Sequence, residues 1–212
     1  MKEQLLVSKK IRWLDVGCGD RFEDGFHYLD LFSIHEVPEE FKDRYTQADI
    51  AHLSDETVAA LGTFDFIRLQ HVFEHLSMEE GQRCLENCAK LLNPGGYILI
   101  TVPDLRVHIQ KYLANSYSEL KGFSWWAHHR IPKDAPASFY FSIFAHSLPH
   151  EAHKWCYDLE GLLYQLKRAK QFVAIRQLAV DDPLSVEPFT HNRIKEDLCV
   201  IARKKKPFLK FV

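Results

Sequence analysis

No stretch of the 212 residues approaches the roughly 18 consecutive apolar positions that a membrane-spanning helix requires, so no span is expected. The first residues, Met1 to Val7, are too few and too mixed in polarity for a secretory signal. Cysteine is scarce and spaced against structural use. Five residues, an odd number without a Cys-x-x-Cys pair, exclude a disulfide framework or a zinc knuckle and suit a reducing cytoplasm. Cys84 and Cys88 stand one helical turn apart, the spacing of a packed face. Neither sign of charge is in excess: 27 Lys and Arg against 29 Asp and Glu leave a net charge of -2. That balance offers no general attraction to nucleic acid or an anionic membrane. The one basic cluster, Arg203 to Lys206, reads as the solvated end of a last strand, with an anion or membrane-surface contact as the alternative. No internal repeat, low-complexity tract or second domain boundary breaks residues 1–212, so one domain is expected.

What is present is an alternation of short apolar runs with helical patterns, the signature of an α/β sheet. Strands are expected over residues 11–16, 26–31, 46–50, 64–69 and 97–102, then near 172–180 and over 197–203. Ser54 and Ser77 stand where they can cap helices over 54–61 and 77–92. The second of these helices meets Asn93-Pro94-Gly95-Gly96, a turn sequence. A helix after Asp104 is expected to reach about residue 120, and another covers 158–170. Residues 122–150 carry many aromatics and histidines and are too long for a plain connection, so they form either an excursion with its own packing or a lid.

The first strand ends in Asp15-Val16-Gly17-Cys18-Gly19. Two glycines there allow a tight turn and let a ligand lie against the backbone, as nucleotide-type cofactors need at the carboxyl end of a parallel strand. LDVGCG, then FDFIRLQHVFEHL, then LLNPGGYILITVPD, in this order and spacing, resemble the class I S-adenosylmethionine-dependent methyltransferases. The second half of the chain is similar to a type 11-like branch of small bacterial methyltransferases often linked to sugar and surface-polysaccharide pathways. The resemblance is strong over residues 11–104 and continues through His153 to Asp158 and the closing helix and strands. It implies a Rossmann-like, doubly wound, seven-stranded sheet of order 3-2-1-4-5-7-6, with strand seven antiparallel and the aromatic-rich insertion after strand five.

The resemblance also implies site residues. Asp15, Gly17, Cys18 and Gly19 form the first cofactor loop, with Asp15 orienting the cofactor's amino group. Asp30, followed by Leu31, accepts the ribose hydroxyls, with Glu36 as the alternative. Asp49 meets the adenine amino group and Ile50 lines the ring. Gln70 and His71 stand beside the methionine part and the methyl group. S-adenosyl-L-methionine is the expected cofactor and S-adenosyl-L-homocysteine the product. Two departures from the family pattern stand out: Arg21 occupies the place of a third glycine, and the interval from Gly19 to Phe26 has no room for a full helix.

Methyl transfer from a sulfonium needs a nucleophile held in line, water excluded and, for a hydroxyl, a base. His71 is the candidate base, with His128, His129, His146, His150 and His153 also available. His71-Val72-Phe73-Glu74-His75 fits a zinc-protease pattern literally, but it follows a buried strand inside the methyltransferase block, so no metal is expected. Glu74 and His75 read as capping or supporting residues, and His153 as packing near the helix after Asp158. Trp125, Trp126, Phe139, Tyr140, Phe141 and Phe144 form either a substrate wall or the excursion's core, while Arg106 and Arg193 either meet an anionic substrate or lie on the surface. No Asn/Asp-Pro-Pro-Tyr follows strand four, which lowers nucleobase and glutamine amino groups as acceptors. The expected activity is O-methylation of a small molecule or a sugar or polysaccharide precursor by a cytoplasmic monomer or homodimer, without nucleic-acid or membrane partners. The alternative is a non-catalytic S-adenosylmethionine-binding module or an inactive partner subunit. A nicotinamide enzyme is disfavoured by the missing third glycine and by the Leu92-Asn93-Pro94-Gly95-Gly96 turn.

Overall fold

In the computed structural model, residues 11–19, 21–31, 37–116, 119, 153–182 and 195–207 are described. The chain forms β1 (Trp13–Val16), β2 (Phe26–Asp30), β3 (Tyr45–Gln47), α1 (Asp55–Leu61), β4 (Phe64–Gln70), α2 (Met78–Leu91) and β5 (Leu92–Pro103). It continues with α3 (Leu105–Leu113), α4 (Leu159–Arg168), β6 (Phe172–Leu178) and β7 (Asp197–Lys204). The strands make one sheet in the order β3-β2-β1-β4-β5-β7-β6, as the sequence implies. β1 to β5 pair in parallel, and β7 runs antiparallel to both β5 and β6. Between β1 and β4 the strand order reverses, so crossovers leave in opposite directions and open a crevice at the carboxyl ends. Among the described residues no helix is long and apolar enough to cross a membrane.

Apolar side chains fill both faces of the sheet. On one, Leu14, Val16, Ile67, Leu69, Ile98 and Ile100 pack under α2 and α4 through Leu85, Cys88, Leu162 and Leu166. Cys84 and Cys88 are fully buried in this layer, the packed face their spacing predicts. Ser77 accepts from the Glu80 N–H while Glu80 accepts from the Ser77 N–H, a reciprocal cap that fixes the start of α2. Ser54 caps α1 by accepting the Thr57 N–H, and Asp158 caps α4 by accepting the Gly161 N–H.

The other face solves a problem posed by the short link from β1 to β2. A parallel crossover usually takes a dozen or more residues and a helix, yet residues 17–25 carry no helix among those described. Aromatic rings cover the sheet instead. Phe22 stacks on Phe41 at 5.3 Å between centroids and meets Tyr28 edge-on at 5.0 Å. On this face Tyr28, Asp15, Arg68, Leu99 and Ile201 lie side by side across five strands. Asp15 and Arg68 are 2% and 5% exposed and form a two-point ion pair, with Arg68 Nε donating to Asp15 Oδ1 at 3.0 Å and Nη2 donating to Oδ2.

Three boundaries differ from expectation. The third strand stops at Gln47, because Asp49 turns the chain into a 3-10 turn over Ile50–His52 by accepting the Ala51 N–H. α3 ends at Leu113 rather than near 120, where Asn115 takes a left-handed φ of 54°. Asn93 to Gly96 fall within β5 as a bulge, since Phe64 pairs with Leu92 and Phe66 with Tyr97. The aromatic segment 122–150, Glu36 and Arg193 lie outside the described residues.

The buried ion pair generates a stability prediction. Arg68→Met leaves the Asp15 carboxylate buried without its cation and lowers unfolding free energy by about 3–5 kcal/mol in denaturant titrations. The double variant Asp15→Leu with Arg68→Met recovers most of that loss, because an apolar pair needs no charge compensation. A double variant as unstable as the single one counts against this account.

Candidate functional site

The glycine loop is held from three sides. Gly17 and Gly19 adopt left-handed φ values of 71° and 59°. Gly17 N–H donates to Leu29 O at 2.7 Å, and Gly19 N–H donates to Asp30 Oδ2 at 3.0 Å. A Cβ on Gly17 would stand 2.2 Å from Val72 Cγ2, so glycine is required both by the backbone and by the approach of the loop after β4. The end of β2 is tied to the next loop by Ala48 N–H, which donates to Asp30 O at 2.8 Å. In that loop Asp49 Oδ1 accepts the Ala51 N–H at 2.8 Å, and Asp49 Oδ2 lies 2.7 Å from His52 Nδ1. Asn87 of α2 donates to Ile50 O at 2.8 Å and anchors the turn from beneath.

These loops enclose a cavity of about 470 Å³. That is within the range of small-molecule and cofactor sites. Of the residues expected at the cofactor, Gly17, Gly19, Asp30, Leu31, Asp49, Ile50 and His71 line it. Asp15, Cys18 and Gln70 are not among its lining residues. Asp15 pairs with Arg68 on the sheet face. Cys18 packs in the aromatic layer, where burial pushes its thiol pKa up. Val72, His75, Leu76, Glu80 and Lys154 complete the far wall. Sequence reasoning does not single out Val72, Leu76, Glu80 or Lys154 for this wall. Lys154 comes from distant sequence and is held by Glu80 Oε2 at 3.0 Å. Glu80 is kept ionised, with a pKa down at about 2, first by the Ser77 N–H and, against some burial, by Lys154.

His71 has a left-handed φ of 54° and both ring nitrogens committed. Nδ1 donates to Glu74 Oε1 at 3.2 Å and Nε2 donates to Asp197 Oδ2 at 2.9 Å. Both carboxylates are buried, at 1% and 4% exposure. Burial alone would lower the His71 pKa; the hydrogen bonds to Asp197 and Glu74 outweigh it and lift it to about 9. Burial likewise opposes ionisation of Glu74, yet the His71 hydrogen bond and the neighbouring histidines bring its pKa down to about 2. An imidazolium that donates from both nitrogens has no lone pair for an incoming proton. The ring ties the loop after β4 to β7 through these two contacts. Asp197 was legible only as the start of a strand, because 126 residues separate it from His71.

The residues read as supports also meet partners. Glu74 and His75, set aside as metal ligands in the sequence, lie together with His153, with ligand atoms within 4.8 Å of one another. His153 stands edge-on to His75 at 4.7 Å between ring centroids. Arg106 is at the surface and pairs with Asp158 and Glu160, each at 3.4 Å.

The contact at Gly17 yields a direct test. Gly17→Ala is expected to weaken S-adenosylhomocysteine binding, measured by calorimetry, by at least about 100-fold, roughly 2.8 kcal/mol. Adding Val72→Ala removes the clash but not the left-handed strain, so it restores affinity only in part. Undiminished affinity in Gly17→Ala counts against the loop as a ligand-contacting element.

The chain matches the methyltransferase-domain family over residues 3–142. No curated protein matches it. Among solved structures, the CurJ carbon methyltransferase aligns with a TM-score of 0.53 and 16% identity over 96% of this chain and 51% of its own. A SAM-dependent methyltransferase from Methanosarcina mazei aligns at 0.50 and 14% identity over 93% and 94%. The pyocyanin biosynthetic protein PhzM aligns at 0.51 and 14% identity over 94% and 52%. The chain spans about half the length of the CurJ and PhzM structures, and at these identities the likeness is one of fold. With the family match across residues 3–142 and a glycine loop at the reversal point of a 3-2-1-4-5-7-6 sheet, the chain belongs to the methyltransferase-domain family, the class I enzymes whose cofactor is S-adenosylmethionine.

Proposed function

We propose that this protein transfers a methyl group from S-adenosylmethionine to an oxygen of a small molecule or of a sugar or polysaccharide precursor. The observation that carries the reading is the cavity itself, which runs across the carboxyl ends of β2, β1 and β4 and carries an acid at each of its two nucleoside-side loops. Asp30, at the end of β2, takes the ribose hydroxyls. Asp49 and Ile50, after β3, take the adenine. Gly17 and Gly19 lie along the amino-acid part. The loop after β4, braced by His71, closes the methyl end, with Gln70 supporting it from the strand end. His75 and Lys154 then face the acceptor.

The protein's share of the chemistry is positional. A sulfonium methyl is already activated, so rate comes from holding the nucleophile in line at about 3 Å and keeping water out. Apolar Val16, Leu29, Leu31, Ile50 and Val72 on the cavity wall serve that exclusion. The near-balanced charge of -2 supports a small acceptor over nucleic acid. Five free cysteines support a reducing, cytoplasmic setting. A second reading, a binding module without turnover, draws on one observation: Asp15, the expected partner of the cofactor's amino group, is instead paired with Arg68.

Calorimetry with S-adenosylmethionine and S-adenosylhomocysteine, with NAD as control, tests the cofactor assignment. Micromolar binding of the first two and none of NAD is expected. Asp30→Ala weakens that binding by at least about tenfold, roughly 1.4 kcal/mol; unchanged affinity moves the ribose contact away from β2. Methylated product from hydroxyl-bearing sugar acceptors, read by mass spectrometry, separates the enzyme from the binding module.

A further inference from the structure

The chain turns once after β4, through a 3-10 turn over Phe73–His75. Glu74 in this turn is 1% exposed, and its Oε2 has no hydrogen-bond partner. Its other oxygen accepts from His71 and lies 4.0 Å from His75 Nε2. A buried carboxylate oxygen without a donor is costly unless a cation meets it. Two imidazoles stand ready beside it. His75 lies on the cavity wall, and His153, from the segment before α4, meets it edge-on at 4.7 Å. One ligand atom from each of the three residues falls within 4.8 Å of the other two.

Two histidines and one carboxylate make a donor set of catalytic zinc centres, which hold the ion by three protein ligands and keep a fourth position open. Here the fourth position has a direction. The cavity extends from Asp30 and Asp49 after β2 and β3 to His75 after β4, so an ion on His75 sits at the end away from the nucleoside loops. At the same end His71 has each ring nitrogen against a carboxylate, Glu74 at 3.2 Å and Asp197 at 2.9 Å.

We propose that Glu74, His75 and His153 bind one zinc-type divalent cation at the acceptor end of the cavity, and that this cation receives the acceptor's hydroxyl. The role in methyl transfer rests on the function proposed above; the site itself rests on the three ligands. A cation lowers the pKa of a coordinated hydroxyl. The hydroxyl proton passes to bulk water, the oxygen forms its bond to the methyl carbon as the carbon–sulfur bond breaks, and the electron pair stays on sulfur to leave neutral S-adenosylhomocysteine.

The test uses the full chain, stripped with a chelator, dialysed and titrated with zinc chloride by calorimetry. One ion per chain is expected, bound at micromolar affinity or tighter. His75→Ala and His153→Ala each weaken it at least about 100-fold. His153→Cys, which supplies a thiolate in place of the imidazole, restores tight binding where His153→Ala does not. Circular dichroism of each variant confirms that the loss is of a ligand and not of the fold. Cobalt substitution adds a visible d–d band that both alanine variants abolish. No stoichiometric binding, or binding that survives both alanine variants, overturns the proposal. S-adenosylhomocysteine titration of the stripped protein separates the two readings. Cofactor binding without zinc binding overturns the metal site alone; zinc binding without cofactor binding upholds it and overturns the function it serves.

Discussion

Gly17 and Val72 approach more closely than any side chain on Gly17 would permit, and the rest of the site is arranged around that contact. The two residues follow neighbouring parallel strands, β1 and β4, which run in register from Trp13 beside Phe66 to Val16 beside Leu69. Because the strand order reverses here, one chain leaves toward β2 and the other toward β5, and the crevice opens between them. Closing its floor requires both loops to bend inward. The first does so by left-handed glycines, and the second by a left-handed histidine. A non-glycine residue in that conformation is strained. The strain is sustained by two buried carboxylates that hold the His71 ring from both sides.

Charge is distributed with the same economy. Among the described residues, two clusters of buried charged side chains lie in different places for different ends. Asp15 and Arg68 pair on the face that has aromatic cover where a crossover helix is usual, with Phe26 beneath the guanidinium at 5.7 Å from its ring centre. Both Asp15 oxygens accept from Arg68, so the pair serves the fold. Glu74, His71 and Asp197 stand at the strand ends, where the loop after β4 meets β7. There the carboxylates outnumber the imidazole they hold, and an unpartnered carboxylate oxygen is left over beside two more histidines. The first arrangement engages both carboxylate oxygens, and the second leaves one for a cation.

Short crossovers have a structural consequence beyond this pair. Without a helix between β1 and β2, the usual dipole at a helix N-terminus does not point at the glycine loop. Direct hydrogen bonds take over the positioning: Gly17 to Leu29, Gly19 to Asp30 and Ala48 to Asp30. Asp30 thus orders two loops through its side chain and its carbonyl while standing on the cavity wall.

Much of this was written in local sequence. The alternation of apolar runs, the Ser54 and Ser77 caps and the glycines at 17 and 19 each act through neighbours a few residues away, so period and residue type suffice to place β1, β2, β4, α1 and α2. The family motifs carried the strand order and part of the cavity wall for the same reason: Asp30, Asp49 and His71 stand at or just past strand ends at fixed offsets. What remained hidden depends on distance along the chain. The register of β1 on β4 sets Arg68 beside Asp15, and Asp197 meets the His71 ring only by arriving on an antiparallel strand. Lys154 reaches the cavity, and His153 reaches His75, because α4 packs under the sheet and returns their segment to Glu74 and Glu80. Side-chain chemistry is a property of the residue, but pKa, pairing and ligand set belong to whatever the fold brings within a few ångströms.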